Sequence, residues 1–319
     1  MPRALLLLSL LLTACRSATP HAYVPPPPAR VPLQLCWIDT GGVTVDGGFG
    51  TAGHARAKQW EVTSAALLVR HPKGDLLLDA GISPAAQAEA RELGTWRRFV
   101  FDRTAGQNLP RRSLPEALAA LGVTHLKAVL LSHAHPDHVG GAALLPGVPV
   151  SLAEPERALV AQELAHPRGV VVPAHARALA GRMVALPFTS TPYATYDQSD
   201  DVFGDGSVVV VPTYGHTPGS VATFLNVSPT LRLVHVGDLL NLQESVERHV
   251  GKSWVMRELT DEDGARTEAE VERLFELHRQ DPGLVILPAH DKRAYEALFG
   301  PDTVPVPPCV GTPPAEARK

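Results

Sequence analysis

Ser132-His133-Ala134-His135-Pro136-Asp137-His138-Val139-Gly140-Gly141 gathers three imidazoles and a carboxylate between positions 133 and 138, directly after a short apolar run. Residues 127–132 (Lys-Ala-Val-Leu-Leu-Ser) read as a buried strand, and Gly140-Gly141 followed by Ala142 to Leu145 reads as a turn opening a helix. The polar residues therefore occupy a strand-to-helix loop. In an extended segment alternate side chains share a side, so His133 and His135 can grip one ion, while Asp137 and His138, past the bend at Pro136, can face a second. Imidazole and carboxylate without thiolate favour zinc, with iron or manganese as the nearer competitors.

Other strand ends carry similar chemistry. Val208 to Val211 is a β-branched run leading to the loop Gly215 to Gly219, which holds His216. Leu231 to Val236 alternates and ends at Gly237-Asp238, and Leu284 to Leu287 is a short apolar strand with His290 just beyond it. Strand ends that each deliver a polar side chain can build a site along one rim of a layered fold.

Taken together, these segments resemble the metallo-beta-lactamase superfamily. His133-X-His135-X-Asp137-His138 is similar to its signature, as are Leu76-Leu77-Leu78-Asp79-Ala80-Gly81, Tyr214-Gly215-His216-Thr217-Pro218-Gly219-Ser220, Val236-Gly237-Asp238 and Leu287-Pro288-Ala289-His290-Asp291. The resemblance spans residues 64–299 and implies an α/β fold, the four-layer αβ/βα sandwich. It further implies one metal on His133, His135 and His216, a second on Asp137, His138 and His290, and Asp238 bridging them, with two Zn2+ expected and iron or manganese as alternatives. Asp79 would accept a hydrogen bond from a ligand histidine. The implied chemistry is hydrolysis of an ester, lactone or thioester in a small-molecule substrate by a hydroxide between the metals, with Asp137 and Asp238 as catalytic groups. A bridging aspartate argues against a beta-lactamase. Acyl-homoserine-type lactonases of this superfamily often carry a tyrosine three residues after that aspartate. Here the position is Asn241, which could donate to an oxyanion and whose presence departs from the lactonase pattern. Three alternatives stand beside the hydrolase: an iron-dependent, persulfide dioxygenase-like oxidoreductase, a phosphodiesterase, and a metal-binding lipoprotein without turnover.

The amino terminus suggests export. Arg3 precedes the apolar stretch Ala4 to Leu12, which has the length of a signal-peptide core, and Leu12-Thr13-Ala14-Cys15 resembles the bacterial lipobox. Cleavage before Cys15 would leave a lipidated cysteine anchored in a membrane, and Arg16 after it suggests the outer membrane facing the periplasm. This divides the chain into a signal peptide (1–14), a proline-rich tether (15–33) that would hold the domain off the membrane, a catalytic domain (34–300) and an irregular, proline-rich tail (301–319). Cys36 and Cys309 could pair in an oxidising compartment or remain two lone buried thiols.

With 319 residues, 45% hydrophobic and 19% charged, the chain can build one large core. Its net charge of -4, with no basic stripe, gives no support for nucleic-acid binding. Strands are expected at 34–39, 65–70, 75–79, 127–132, 148–152, 207–213, 220–227, 231–236 and 284–288. Helices are expected at 84–93, 113–122, 154–164, 174–181 and 267–280. Segments 92–112 and 242–259 could wall a substrate pocket, with Phe99 and Phe101 read as core. His235 reads as a core or ligand-supporting histidine. Asp291 could orient a ligand or cap the helix from Lys292 to Phe299. The remaining histidines (His21, His54, His71, His125, His166, His175, His249, His278) are expected to be solvated or capping.

Overall fold

The apolar runs around the histidine loop pair as strands of two stacked sheets. The computed structural model describes residues 21–53, 59–302 and 306–313. Its strands are β1 (Gln34–Asp46), β2 (Gln59–Arg70), β3 (Leu76–Leu78), β4 (Leu109–Pro110), β5 (Ala128–Leu130), β6 (Val150–Leu152), β7 (Met183–Ala185), β8 (Asp200–Asp201), β9 (Val208–Pro212), β10 (Val221–Ser228), β11 (Leu231–His235), β12 (Val285–Leu287) and β13 (Cys309–Gly311). The helices are α1 (Gly47–Gly50), α2 (Ala86–Glu89), α3 (Thr95–Arg103), α4 (Leu114–Ala120), α5 (Pro136–Val139), α6 (Glu154–Ala165), α7 (Pro173–Leu179), α8 (Glu244–Arg248), α9 (Trp254–Thr260), α10 (Gly264–Gln280) and α11 (Lys292–Phe299). The first sheet runs β13-β1-β2-β3-β5-β6-β7, with β4 paired to β1, and the second runs β12-β11-β10-β9-β8.

Alternation explains the layers. On β1, Leu35 and Trp37 point between the sheets while Cys36 and Ile38 point to the helices outside. On β9, Val208 and Val210 face the first sheet while Val209 and Val211 face α10. Strands covered on both faces read as unbroken apolar runs, which is why these segments stood out in the sequence. Helices α4, α6 and α7 cover one outer face and α10 the other, giving the four-layer αβ/βα order. The central core joins Trp37 to Tyr295 of α11, ring centroids 5.2 Å apart.

Several expectations need correction. The tail is not wholly irregular, because β13 pairs with β1 in antiparallel register, Cys36 opposite Cys309. Those cysteines form a disulfide with Cα atoms 4.0 Å apart. The described part of the tether does not stand free of the domain. His21 Nδ1 meets Glu276 Oε2 at 3.0 Å, Tyr23 Oη donates to Asp281 Oδ2 at 3.0 Å, Val24 bridges Ala194, and Arg30 N–H donates to Asp205 O at 3.1 Å. His71 and His175 are buried rather than solvated. His71 Nε2 lies 3.0 Å from Asp205 Oδ2 with its ring stacked on Phe203, and His175 Nε2 lies 3.0 Å from Glu89 Oε2. Helices α3 and α9, strand β7 and the two-residue β4 and β8 fall where no element was expected. His54 and the segment through Pro20 lie outside the described residues.

Candidate metal centre

The strand ends converge at one rim. After β5 the chain passes through Ser132 to His133 and His135, and Pro136 opens the short α5, which carries Asp137 and His138. Proline suits this first helical position because its missing N–H would have no intrahelical partner. His216 follows β9, Asp238 follows β11 and His290 follows β12.

The seven side chains fall into two clusters. His216 Nε2 lies 3.2 Å from His133 Nε2 and 3.0 Å from His135 Nδ1. His138 Nε2 lies 3.2 Å from His290 Nε2, which is 3.5 Å from Asp137 Oδ2. Asp238 stands between the clusters. Its Oδ2 is 3.3 Å from His216 Nε2, and its Oδ1 is 3.1 Å from both His138 Nε2 and His290 Nε2. The ligand-type atoms of His133, His135, His216 and Asp238 all lie within 4.8 Å of one another, as do those of Asp137, His138 and His290.

This donor set fits metal cations. A pair of ring nitrogens about 3 Å apart can share one proton, but with the Nδ1–H of His138 and His290 turned outward their facing Nε2 atoms offer lone pairs that a cation between them would satisfy. Asp238 Oδ1 is buried and, despite its two close nitrogens, accepts no hydrogen bond of acceptable geometry. Burial first, then the neighbouring imidazoles, hold His133 and His135 well below the ordinary histidine range. Burial acts in the same sense on His138, but the carboxylates of Asp238 and Asp79 override it and hold that ring well above its usual range.

The nitrogens facing away from the clusters are anchored in turn. With Nε2 inward, His138 Nδ1–H donates to Asp79 Oδ2 at 2.8 Å, and Ser132 gives its N–H and Oγ–H to the same carboxylate at 2.6 and 2.7 Å. Asp79 adopts φ 53°, an unusual conformation for a residue with a side chain, held by the packed strand ends around it. His290 Nδ1–H donates to Thr63 O at 2.8 Å, and Asn108 Nδ2 donates to Asp137 Oδ2 at 3.2 Å. His216 Nδ1–H donates to Asp261 Oδ1 at 2.7 Å, an oxygen that also takes the buried Lys252 ammonium at 2.5 Å. Such outer contacts fix the tautomer and aim of a ligand histidine.

The sequence did not reveal Asp261, Lys252, Asn108 or the Thr63 carbonyl. Each arrives from a distant segment whose local pattern is ordinary. Asn241 sits at the cleft, but its Nδ2 donates to Gly50 O at 2.6 Å, so part of its donor capacity is bound to the backbone of α1. Asp291 neither touches a ligand ring nor caps α11 with its side chain; its Oδ2 accepts Gln243 N–H at 2.8 Å. His235 is buried, and that burial lowers its pKa to about 4.

A cleft of ≈ 990 Å³, partly open to solvent, rises from His135, Asp137, Asp238 and His290. Its walls are mainly apolar. The two segments named from sequence contribute Leu93, Val100, Phe101, Met256 and Leu259, and strands β1 and β2 add Val43, Val45, Trp60 and Val62. Phe99 is not core: it is 39% exposed and stacks on Trp96. This lining, apolar by area but including Arg97, Arg103, Gln107 and Lys252 beside the cluster residues, has the make-up of a small-molecule site.

Residues 60–290 match the family model of the metallo-beta-lactamase superfamily. A search of curated protein sequences gave no match. Among solved structures, the fold is similar to that of an N-acyl homoserine lactone hydrolase with N-hexanoyl-L-homoserine at its catalytic metal centre (18% identity, 84% of this chain and 96% of that one, TM-score 0.59). It is also similar to AidC, a dizinc quorum-quenching lactonase (17% identity, 83% and 90% coverage, TM-score 0.54). A probable metal-dependent hydrolase from Staphylococcus aureus shares the fold as well (14% identity, 82% and 91% coverage, TM-score 0.58).

Proposed function

The chain belongs to the metallo-beta-lactamase superfamily as a metal-dependent hydrolase, and on that premise we propose that it is a dinuclear zinc enzyme cleaving an ester, lactone or thioester bond in an apolar small molecule. The observation that carries this reading is Asp238, whose two oxygens face different clusters, Oδ2 toward His216 and Oδ1 toward His138 and His290. A carboxylate so placed suits two cations better than one. His133, His135 and His216 would hold the first, Asp137, His138 and His290 the second, with Asp238 shared.

When bound, such a pair supplies Lewis acidity toward a substrate oxygen and acidifies water to near neutrality. The protein contributes the remainder. Asp79, Asp261 and the Thr63 carbonyl hold the rings of His138, His216 and His290 with their Nε2 atoms aimed inward. Asn108 fixes Asp137 at the cleft floor, while the mainly apolar walls would receive an acyl group against the rim. Burial alone would raise the pKa of Asp238, but His290 and His138 override it and hold the carboxyl well below the usual carboxylate range, so Asp238 stays ionised between the clusters. Similar lactonases, seen with N-hexanoyl-L-homoserine bound as product, support carbonyl esters over other electrophiles.

The test is elemental metal analysis together with turnover of a lactone, thioester, phosphodiester and beta-lactam panel. Zinc near two per chain with carbonyl-ester turnover is the expected result, whereas a single iron without hydrolysis would overturn the proposal. We further propose an oxidising envelope compartment with lipid on Cys15. The Cys36–Cys309 disulfide supports that location, since such bonds are rare in the reducing cytosol.

A further inference from the structure

Glu156 is fully buried at 0% exposure in the first turn of α6, and the chemistry above makes no use of it. Its Oε1 accepts Ala134 N–H at 2.7 Å. Its Oε2 accepts Thr217 Oγ1–H at 2.7 Å and Gly219 N–H at 3.0 Å. Ala134 separates His133 from His135, and Thr217 follows His216. One carboxylate thus joins the two loops that supply all three imidazoles of the first cluster, across sequence separations of 22 and 61 residues.

The chemistry of the contact demands a carboxylate. Every partner is a donor, so an amide in its place would turn an N–H toward another donor. The loop is also shaped for the approach, since a Cβ on Gly219 would lie 2.2 Å from Glu156 N, and only glycine lets the loop close on α6. The second cluster is supported by other groups, Asp79, Thr63 and Asn108.

We propose that Glu156 is a positioning residue for the three-imidazole half of the site: it sets the His133–His135 loop against the His216 loop and thereby fixes that half-site's metal affinity. The inference rests on the dinuclear reading. Outer-shell substitutions in metal sites commonly weaken binding by about 10–100-fold, and the effect should be confined to one half of this centre.

Zinc titration of the metal-free full chain against a competing chromophoric chelator tests it, with thermal unfolding of each apo protein alongside. Glu156→Gln should weaken zinc binding by about 10–100-fold in a His290→Ala background, where the three-imidazole half remains, and leave binding unchanged in a His135→Ala background. Thr217→Val, which removes a single contact, should show a smaller loss of the same selectivity and carries the test if Glu156→Gln does not fold. Unchanged zinc affinity in the His290→Ala background, or equal weakening of both halves with a matching drop in apo stability, would overturn the proposal. A wild-type chain that binds no zinc would instead overturn the dinuclear reading.

Discussion

At the scale of single residues, the site separates groups that hold metal from groups that aim them. Asp238→Asn keeps volume but removes charge from the oxygens facing both clusters, so zinc should fall toward one per chain and kcat by roughly 100- to 1,000-fold, the equivalent of a few kcal/mol of lost electrostatic stabilisation. Metal content and rate both unchanged would exclude the shared role. Asp261→Asn should weaken zinc binding by about 10-fold, read by the same chelator competition, and should also lower apo stability because it leaves the buried Lys252 without its carboxylate. His71 gives a pH prediction far from the metals. Its Nδ1 accepts Lys73 N–H, its Nε2–H faces Asp205, and burial lowers its pKa from 6.5. The unfolded chain then binds the proton that the native ring refuses, so stability should decline as pH falls below about 6.5. Urea midpoints at pH 7.5 and 5.5 should differ more for wild type than for His71→Asn, and equal differences would remove His71 as a contributor. The residues that cluster at the rim were legible because strand-tip histidines and aspartates form contiguous motifs. Glu156, Asp261 and Lys252 were not, since nothing in their local sequence separates them from ordinary helix or loop charges.

At the scale of elements, legibility followed burial. The strands sandwiched between layers, such as β9 and β10, are apolar on both faces and matched the expected ranges within a residue or two. Two helices with little or no buried face escaped: α3 carries Trp96 and Phe99 outward, and α9 has no fully buried residue. Strand β13 hides in a proline-rich tail because three residues give too short a pattern, yet its Cys309 closes a covalent loop with Cys36 across a sequence separation of 273. Such a bond chiefly restricts the unfolded chain, so Cys36→Ser with Cys309→Ser should lower unfolding free energy by about 2–4 kcal/mol, measured by denaturant titration with metal content held constant. Loss well below that range would mean that the tail is held by its other contacts, among them the Asp302–Arg112 ion pair at 2.8 Å.

At the scale of the whole molecule, the rim unites ligands from both sheets, so metal binding and folding should be coupled. With free zinc at about 1,000 times its dissociation constant, linkage contributes about 4 kcal/mol, and chelation should lower Tm by roughly 10 °C. A melting temperature indifferent to chelator would place the site outside the cooperative unit. The docked segment at the amino terminus has a geometric corollary. Helix α10 starts beside the rim, where Asp263 N–H donates to Gly215 O, and ends near Asp281, where Tyr23 is held. At 1.5 Å per residue that is a span of about 25 Å. Were Cys15 lipidated, the leash to His21 could stretch no more than about 20 Å. A leash that short would orient the enzyme like a moored buoy, base to the bilayer and catalytic mouth toward the aqueous space, drawing substrate from solution rather than from the leaflet beneath it.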